Sequence, residues 1–149
     1  MTAITSDCVL YVEDDADHAE LVLRTLERRG KKGGVVHVED GAAALDYLDR
    51  SERAEVPRPR LILLDLRLPK IDGLDVLRTI KTSPDLATIP VVVLTTSASA
   101  QDMARAYACN ANSYLVKPDD FASFDALIAD LGQYWLDLNR SPGAEHPVR

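Results

Sequence analysis

The sequence predicts a doubly wound α/β domain built on a five-stranded parallel sheet. Two observations predict this fold class. Five short apolar runs alternate along the chain with five segments of helical character, as expected for right-handed βαβ crossovers. The runs also lack in–out alternation, which is typical of parallel strands that helices cover on both faces.

Each predicted strand is a short apolar run that ends at, or directly before, a polar or charged residue. In chain order these runs are β1 (CVLYVE, 8–13), β2 (GVVHVE, 34–39), β3 (LILLD, 61–65), β4 (PVVVLT, 90–95) and β5 (SYLV, 113–116). Because each run is about the length of one buried strand, the sequence predicts that all five lie inside the domain.

The predicted helices follow the strands and carry apolar residues at helical spacing. The α1 stripe is Ala19, Val22, Leu23 and Leu26, and Gly30 with the KKGG that follows ends this helix. Helix α2 covers 42–48, α3 covers 74–81 and α4 covers 101–108. The α5 stripe is Phe124, Leu127, Ile128, Leu131, Trp135 and Leu138. The charged segment 50–60 carries two prolines and is predicted to be an exposed loop.

These elements form one predicted domain over residues 8–139, with a lead-in at 1–7 and a flexible tail at 140–149. The net charge of -7 argues against a general nucleic-acid or anionic-membrane surface. No apolar run reaches the roughly 18 residues of a spanning helix, and the N-terminus carries no secretion signal. A cytoplasmic location fits, and the two cysteines form no CxxC motif.

The strand ends carry the candidate chemistry. Glu13, Asp14 and Asp15 follow β1, and Asp65 closes β3. Thr95 and Lys117 stand at the ends of β4 and β5. In open parallel sheets, ligands bind beyond the carboxyl ends of the strands, so we expect these groups to meet there.

Clustered carboxylates raise each other's pKa, so a site that holds three of them needs a cation. Oxygen ligands without cysteine or histidine favour Mg²⁺. A carboxylate nucleophile, a metal, a hydroxyl and an ammonium are the groups needed to receive a phosphoryl group. For Asp15 the simpler interpretation is a helix cap, and for Asp72-Gly73 it is a turn.

Four ordered motifs, YVEDD, LILLDLRLPKIDG, VVVLTTS and YLVKP, resemble the receiver domain of two-component response regulators. The resemblance covers about residues 8 to 138 and implies a flavodoxin-like (βα)5 fold with strand order 2-1-3-4-5. It further implies that Asp65 accepts phosphate from a histidine kinase.

The resemblance also implies the other roles at the site. Mg²⁺ would be held by the side chains of Asp14 and Asp65, by Glu13 through water and by the backbone carbonyl of Arg67. Thr95 matches the family's switch hydroxyl, Lys117 its phosphate-binding lysine and Tyr114 its switch aromatic. The Lys117–Pro118 bond is expected to be cis.

A narrower similarity is to the single-domain regulators of bacterial and cyanobacterial phytochromes. It rests on the long 50–60 loop, LTTS, NSYLVKP and the extended YWLDL helix end. Arg67 departs from the asparagine common in that group, which leaves the dephosphorylation rate open. With no output domain after the last helix, we expect a homodimer through the α4-β5-α5 face, with Tyr134 and Leu136 exposed.

Two other classes of protein stay open. One is a phosphate-independent adaptor that keeps the fold, which the intact set of Asp65, Thr95 and Lys117 argues against. The other is a haloacid-dehalogenase-type phosphatase, which needs a second aspartate two residues after its nucleophile. That position is Arg67 here.

Overall fold

A computed structural model describes residues 8–29 and 34–142. The strands are β1 (Val9–Val12), β2 (Val35–Val38), β3 (Leu61–Leu64), β4 (Val91–Thr95) and β5 (Ser113–Val116). The helices are α1 (Ala16–Arg28), α2 (Gly41–Glu52), α3 (Gly73–Thr82), α4 (Ala100–Ala108) and α5 (Phe121–Gly132), and a π-helix (Gln133–Leu138) follows α5.

The five strands form one parallel sheet in the order β2-β1-β3-β4-β5. The predicted fold class and strand order are therefore confirmed. The central strands β1, β3 and β4 are buried along their whole length, whereas the edge strands β2 and β5 are only partly covered. This difference explains why the central strands read as unbroken apolar runs.

Successive strand side chains enter two separate cores, one on each face of the sheet. Leu10 and Val12 of β1 face the core shared with α2 and α3, while Val9 and Tyr11 face the core shared with α1 and α5. In α1 the predicted stripe is mostly confirmed, because Ala19, Val22 and Leu26 are buried and Leu23 is partly buried. Within the described residues no helix has the length and apolar character needed to cross a membrane.

The segment between α2 and β3 is less loop-like than predicted. Helix α2 continues to Glu52, so residues 50–52 belong to it, and Pro59 is buried rather than exposed. The Tyr47 hydroxyl of α2 donates a 2.7 Å hydrogen bond to the Pro57 carbonyl, which holds the remaining loop against the helix. The predicted end of α1 at Gly30, the lead-in 1–7 and residues 143–149 lie outside the described residues.

The C-terminal helix differs from its predicted periodicity. After Gly132 the chain forms a π-helix, which has more residues per turn than an α-helix and rotates the side chains that follow. Leu136 is therefore buried, while Leu138, predicted to lie on the core face, is 59% exposed. Arg60 fixes the turn by donating a 2.9 Å hydrogen bond to the Leu136 carbonyl. The expectation that Leu136 is a surface residue was wrong.

Candidate functional site

The carboxyl edge of the sheet gathers the polar side chains that the sequence singled out. Glu13 follows β1, Asp65 follows β3, Thr95 ends β4 and Lys117 follows β5. Since the strands are parallel and neighbouring, their ends lie at one edge of the sheet. All four residues are buried, at 6% relative exposure or less. Buried polar groups of this kind require partners, and the site supplies them.

Three carboxylates converge at this edge. Glu13, Asp14 and Asp65 each offer an oxygen within 4.8 Å of the others. Asp14 is exposed, whereas Glu13 and Asp65 are buried. An all-oxygen cluster that is open to solvent on one side fits Mg²⁺, which prefers carboxylates and keeps several of its waters.

Lys117 lies inside this cluster and links its members. Its Nζ donates hydrogen bonds to Glu13 Oε1 and, at 3.0 Å, to Asp65 Oδ2. The third neighbour of Nζ is His18 Nδ1, also at 3.0 Å, which accepts from the ammonium. The one positive charge thus offsets part of the charge of two buried carboxylates, as buried ions require.

Glu13 is the carboxylate most affected by its surroundings. Its pKa is raised to about 7, with burial as the largest cause; the hydrogen bond from Lys117 lowers the pKa and the charge of Asp65 raises it. Its two oxygens also accept 3.3 Å hydrogen bonds from the Tyr11 hydroxyl and the Asp15 backbone N–H. Glu13 is therefore held in place from three directions.

The loop after β3 orients Asp65. The Arg67 backbone N–H donates a 3.1 Å hydrogen bond to Asp65 Oδ1, which leaves Oδ2 for Lys117. A Cβ atom on Gly73 would lie 2.4 Å from the Asp65 carbonyl oxygen, so only glycine lets α3 start this close to the loop. Asp72-Gly73 is thus the start of α3 rather than the free turn that the dipeptide suggested.

Thr95 of β4 and Tyr114 of β5 both form hydrogen bonds with Ser97 in the loop after β4. Thr95 is fully buried and its Oγ1 accepts a 3.3 Å hydrogen bond from the Ser97 backbone N–H. Tyr114 is partly buried, and its hydroxyl donates a 2.8 Å hydrogen bond to the Ser97 carbonyl. The neighbouring Thr96 is exposed, so of the two threonines only Thr95 faces inward.

A second polar network joins the Asp65 loop to α4. Arg67 Nη2 lies 2.7 Å from Asp102 Oδ2, and the Ser97 hydroxyl donates a 2.5 Å hydrogen bond to the same oxygen. The Asp102 backbone N–H in turn donates to Ser99 Oγ, the N-cap of α4. One buried carboxylate thus holds the loops that follow β3 and β4 together.

Residues 9–129 match the family described as the response regulator receiver domain. The chain belongs to this receiver family. The match explains why the carboxylates, the hydroxyl and the lysine occur at successive strand ends, and it replaces the alternative of a haloacid-dehalogenase-type phosphatase.

Three relatives show how far the similarity of this receiver extends. It is 50% identical over 135 residues to the probable methanogenesis regulatory protein FilR2 of Methanothrix harundinacea, covering 91% of this chain and 87% of the relative. It is 39% identical over 137 residues to response regulator Rcp1 of Synechocystis, covering 91% of this chain and 93% of Rcp1. The Mn²⁺-bound structure of Rcp1 superposes with a TM-score of 0.86 at 38% identity, covering 91% of this chain and 99% of that structure.

The third relative is the cyanobacterial phytochrome response regulator RcpA, whose structure was solved in the phosphorylated form. This receiver superposes on it with a TM-score of 0.87 at 36% identity, covering 93% of this chain and 99% of RcpA. The predicted likeness to phytochrome response regulators is therefore confirmed.

Two further predictions at the receiver site had opposite outcomes: the one for the Lys117–Pro118 peptide was wrong, and the one for Asp15 is confirmed. The described residues contain no cis peptide bond, so the Lys117–Pro118 peptide is trans. The expected cis geometry was therefore wrong. Trans is the ordinary preference of an X–Pro bond, by about 0.5–1 kcal/mol. Asp15 caps α1 as predicted, accepting hydrogen bonds from the backbone N–H groups of Asp17 and His18.

Sequence reasoning missed two members of the receiver site. His18 touches Lys117 because it lies in the first turn of α1, and Asp102 touches Arg67 because it lies in the first turn of α4. The shared signal is position, since the first turn of each helix that follows a strand of a parallel sheet starts at the carboxyl edge. A polar residue there is a candidate even without a motif.

Proposed function

We propose that this receiver accepts a phosphoryl group from a histidine kinase on Asp65 in an Mg²⁺-dependent reaction. The observation that carries this proposal is the buried contact between Asp65 and Lys117 inside a cluster of three carboxylates. A purely structural ion pair has no need of two further acids beside it, whereas a phosphoryl acceptor uses them to bind a cation.

The chemistry is an in-line substitution at phosphorus. An Asp65 carboxylate oxygen forms a bond to the phosphorus of the kinase phosphohistidine, the P–N bond breaks, and the imidazole leaves with its electron pair. Lys117 pairs with an oxygen of the resulting acyl phosphate as a compact point charge. Mg²⁺, when bound, neutralises charge that develops on the transferred group.

The proposed Mg²⁺ ligands are the side chains of Asp14 and Asp65, Glu13 through a water, and the Arg67 backbone carbonyl. Asp14 suits a direct ligand because it is exposed to the solvent from which the ion arrives. Glu13 is already fixed by Lys117 and Tyr11, so it is placed to accept from a metal-bound water. Rcp1, which binds Mn²⁺ in its solved structure, supports a divalent cation in this family.

The test of this function is phosphoryl transfer to the purified chain. With Mg²⁺, acetyl phosphate is expected to label one aspartate, and phosphorylated histidine kinases of the source organism are expected to do so faster. Failure to label with any donor would favour the phosphate-independent adaptor instead.

Phosphorylation is proposed to change the α4-β5-α5 surface. Thr95 turns toward the phosphoryl group, and Tyr114, already bonded to the Ser97 carbonyl, follows the loop inward. Water later attacks the phosphorus, the bond between phosphorus and the Asp65 oxygen breaks, and inorganic phosphate leaves. This step resets the switch, so that the receiver has weak dephosphorylating activity. The signal is therefore the changed surface that lasts while Asp65 carries phosphate.

Thr95 and Thr96 offer a direct test of this switch. Thr95→Ala is expected to accept phosphate from acetyl phosphate but to lose the phosphorylation-dependent change in hydrogen exchange of α4 and β5. Thr96→Ala is expected to keep that change, since Thr96 is exposed. Hydrogen-exchange mass spectrometry of residues 97–116 measures both variants, and the opposite pattern would exchange the two roles.

The kinase partner is proposed to be of the phytochrome type. The support is the superposition on RcpA and Rcp1 over nearly the whole chain. The 50% identical relative carries the name of a methanogenesis regulator, so the transfer assay includes kinases with and without a phytochrome module. Faster transfer from a kinase without one would reassign the input.

A homodimer through the α4-β5-α5 face is the proposed output. Tyr107 of α4 is 51% exposed and Val116 of β5 is 38% exposed, so both elements offer apolar surface to a second copy. A two-fold arrangement buries the same patch twice. Leu136 takes no part, because it lies in the protein's own core.

Analytical ultracentrifugation tests this dimer. The parent is expected to self-associate at tens of micromolar, and the double variant Tyr107→Ser, Val116→Ser is expected to stay monomeric because removing buried apolar area weakens association. The matched control is Tyr134→Ser, Leu138→Ser, which removes two exposed apolar residues, 50% and 59% exposed, from the π-helix. Loss of the dimer only in the control would place the interface on the π-helix.

A further inference from the structure

The Arg67 side chain spans the space between the Asp65 loop and α4. Its backbone N–H contacts Asp65 Oδ1 at 3.1 Å, while its guanidinium contacts Asp102 Oδ2 at 2.7 Å. The Arg67 side chain is 66% exposed and that of Asp102 only 10%. Arg67 is therefore fixed by its backbone two residues from the phosphoacceptor, while its largely exposed guanidinium is held by one nearly buried acid.

Asp102 keeps other partners without Arg67. Its Oδ2 accepts from the Ser97 hydroxyl, and it lies in the first turn of α4, where the helix dipole favours a negative charge. An ionised Asp102 is thus stabilised by its own helix and its own loop. Releasing Arg67 from this acid costs one charge-assisted contact rather than leaving an isolated buried charge.

We propose that Arg67 exchanges Asp102 for the phosphoryl group on Asp65, and so is a phosphoryl-binding residue in addition to Lys117. This inference rests on the proposed function, because it requires Asp65 to carry phosphate. A phosphoryl group brings a charge of about -1.5 to -2 and three acceptor oxygens, against the single charge of Asp102. Guanidinium groups donate bidentate hydrogen bonds to such oxygens.

The exchange has a structural consequence at α4. In the structure described, Arg67 holds the first turn of α4 to the loop that carries Asp65. Once Arg67 turns to the phosphoryl group, Asp102 keeps its bond from the Ser97 hydroxyl but loses its contact with the loop that carries Asp65. The exchange therefore releases the start of α4 at the moment that Asp65 is modified.

The affinity for beryllofluoride, a mimic of the phosphoryl group, measures the exchange in the presence of Mg²⁺. Arg67→Gln is expected to weaken binding by about fivefold, in the range of one partly exposed charged contact. Asp102→Asn is expected to strengthen it by about threefold, since it removes the competitor for Arg67. In the double variant, Asp102→Asn is expected to have no further effect, because there is no arginine left to release.

This dependence of one substitution on the other separates an exchange from a general charge effect. If Asp102 acted only through its charge, Asp102→Asn would strengthen binding equally with and without Arg67, and that result would overturn the proposal. The matched control is Arg78→Gln, which breaks an exposed ion pair with Asp75 in α3 and is expected to leave the affinity unchanged.

Folding and function are checked in the same samples. Thermal unfolding of each variant without beryllofluoride shows whether it is folded, and Asp102→Ser is the substitute if Asp102→Asn is not. A parent that binds beryllofluoride with no coupling between the two residues overturns the exchange alone. A parent that fails to bind beryllofluoride and is not labelled by acetyl phosphate overturns the proposed function with it.

Discussion

Asp65→Asn is expected to reduce phosphoryl labelling by acetyl phosphate and Mg²⁺ to background. The amide is nearly the same size as the carboxylate, but it offers no anionic oxygen to form the acyl phosphate. Asp65 is buried against Lys117 and fixed by the Arg67 backbone N–H, so no other carboxylate has both of these contacts among the described residues. Labelling is measured by intact-protein mass spectrometry, which detects the added phosphoryl mass.

The control for this substitution is stability. Asp65→Asn removes one of three converging carboxylates, which relieves repulsion, but it also weakens the hydrogen bond from Lys117. These effects oppose one another, so the free energy of unfolding is expected to stay within about 1 kcal/mol of the parent. A folded Asp65→Asn variant that is labelled as strongly as the parent would remove Asp65 from its proposed role.

Asp14→Ala is expected to abolish most of the stabilisation that Mg²⁺ gives the folded protein. A ligand that binds only the folded state at 100 times its dissociation constant contributes about 2.7 kcal/mol, and the variant loses the exposed member of the carboxylate cluster. Thermal unfolding over a Mg²⁺ titration measures this contribution, with the metal-free variant as its own reference.

Asp15→Ala is the matched control, one residue along the chain. It removes the α1 cap that accepts from Asp17 and His18, which costs about 1 kcal/mol with or without metal. The stabilisation that Mg²⁺ gives the folded Asp15→Ala variant is expected to equal that of the parent. If Asp15→Ala lost more of the Mg²⁺-dependent stabilisation than Asp14→Ala, Asp15 rather than Asp14 would be the Mg²⁺ ligand.

The parts of the site that follow from topology were predictable from the sequence. Glu13, Asp65 and Lys117 come together because parallel strands bring their carboxyl ends to one edge, and this requires only the strand boundaries. The contact of Arg67 with Asp102 was not predictable. It depends on how far a long side chain reaches and on where α4 packs, and neither leaves a periodic signal.

The C-terminal helix shows a second kind of limit. The apolar stripe from Phe124 to Leu138 fits a period of 3.6 residues, and that period placed Leu138 inside and Leu136 outside. The π-helix after Gly132 adds a residue to the turn and reverses the two positions. A local change of helix type has no compositional signature, so a prediction of buried residues fails beyond it.

The three acceptors around Lys117 also affect how strongly the site binds free anions such as orthophosphate. A lysine ammonium has three N–H donors, and here Glu13, Asp65 and His18 are all within its reach. A freely diffusing orthophosphate must compete with acceptors already in place and must approach clustered negative charge. A phosphoryl group transferred covalently to Asp65, as proposed, bears no such entry cost. We therefore expect the site to bind free orthophosphate weakly and to respond to covalent transfer.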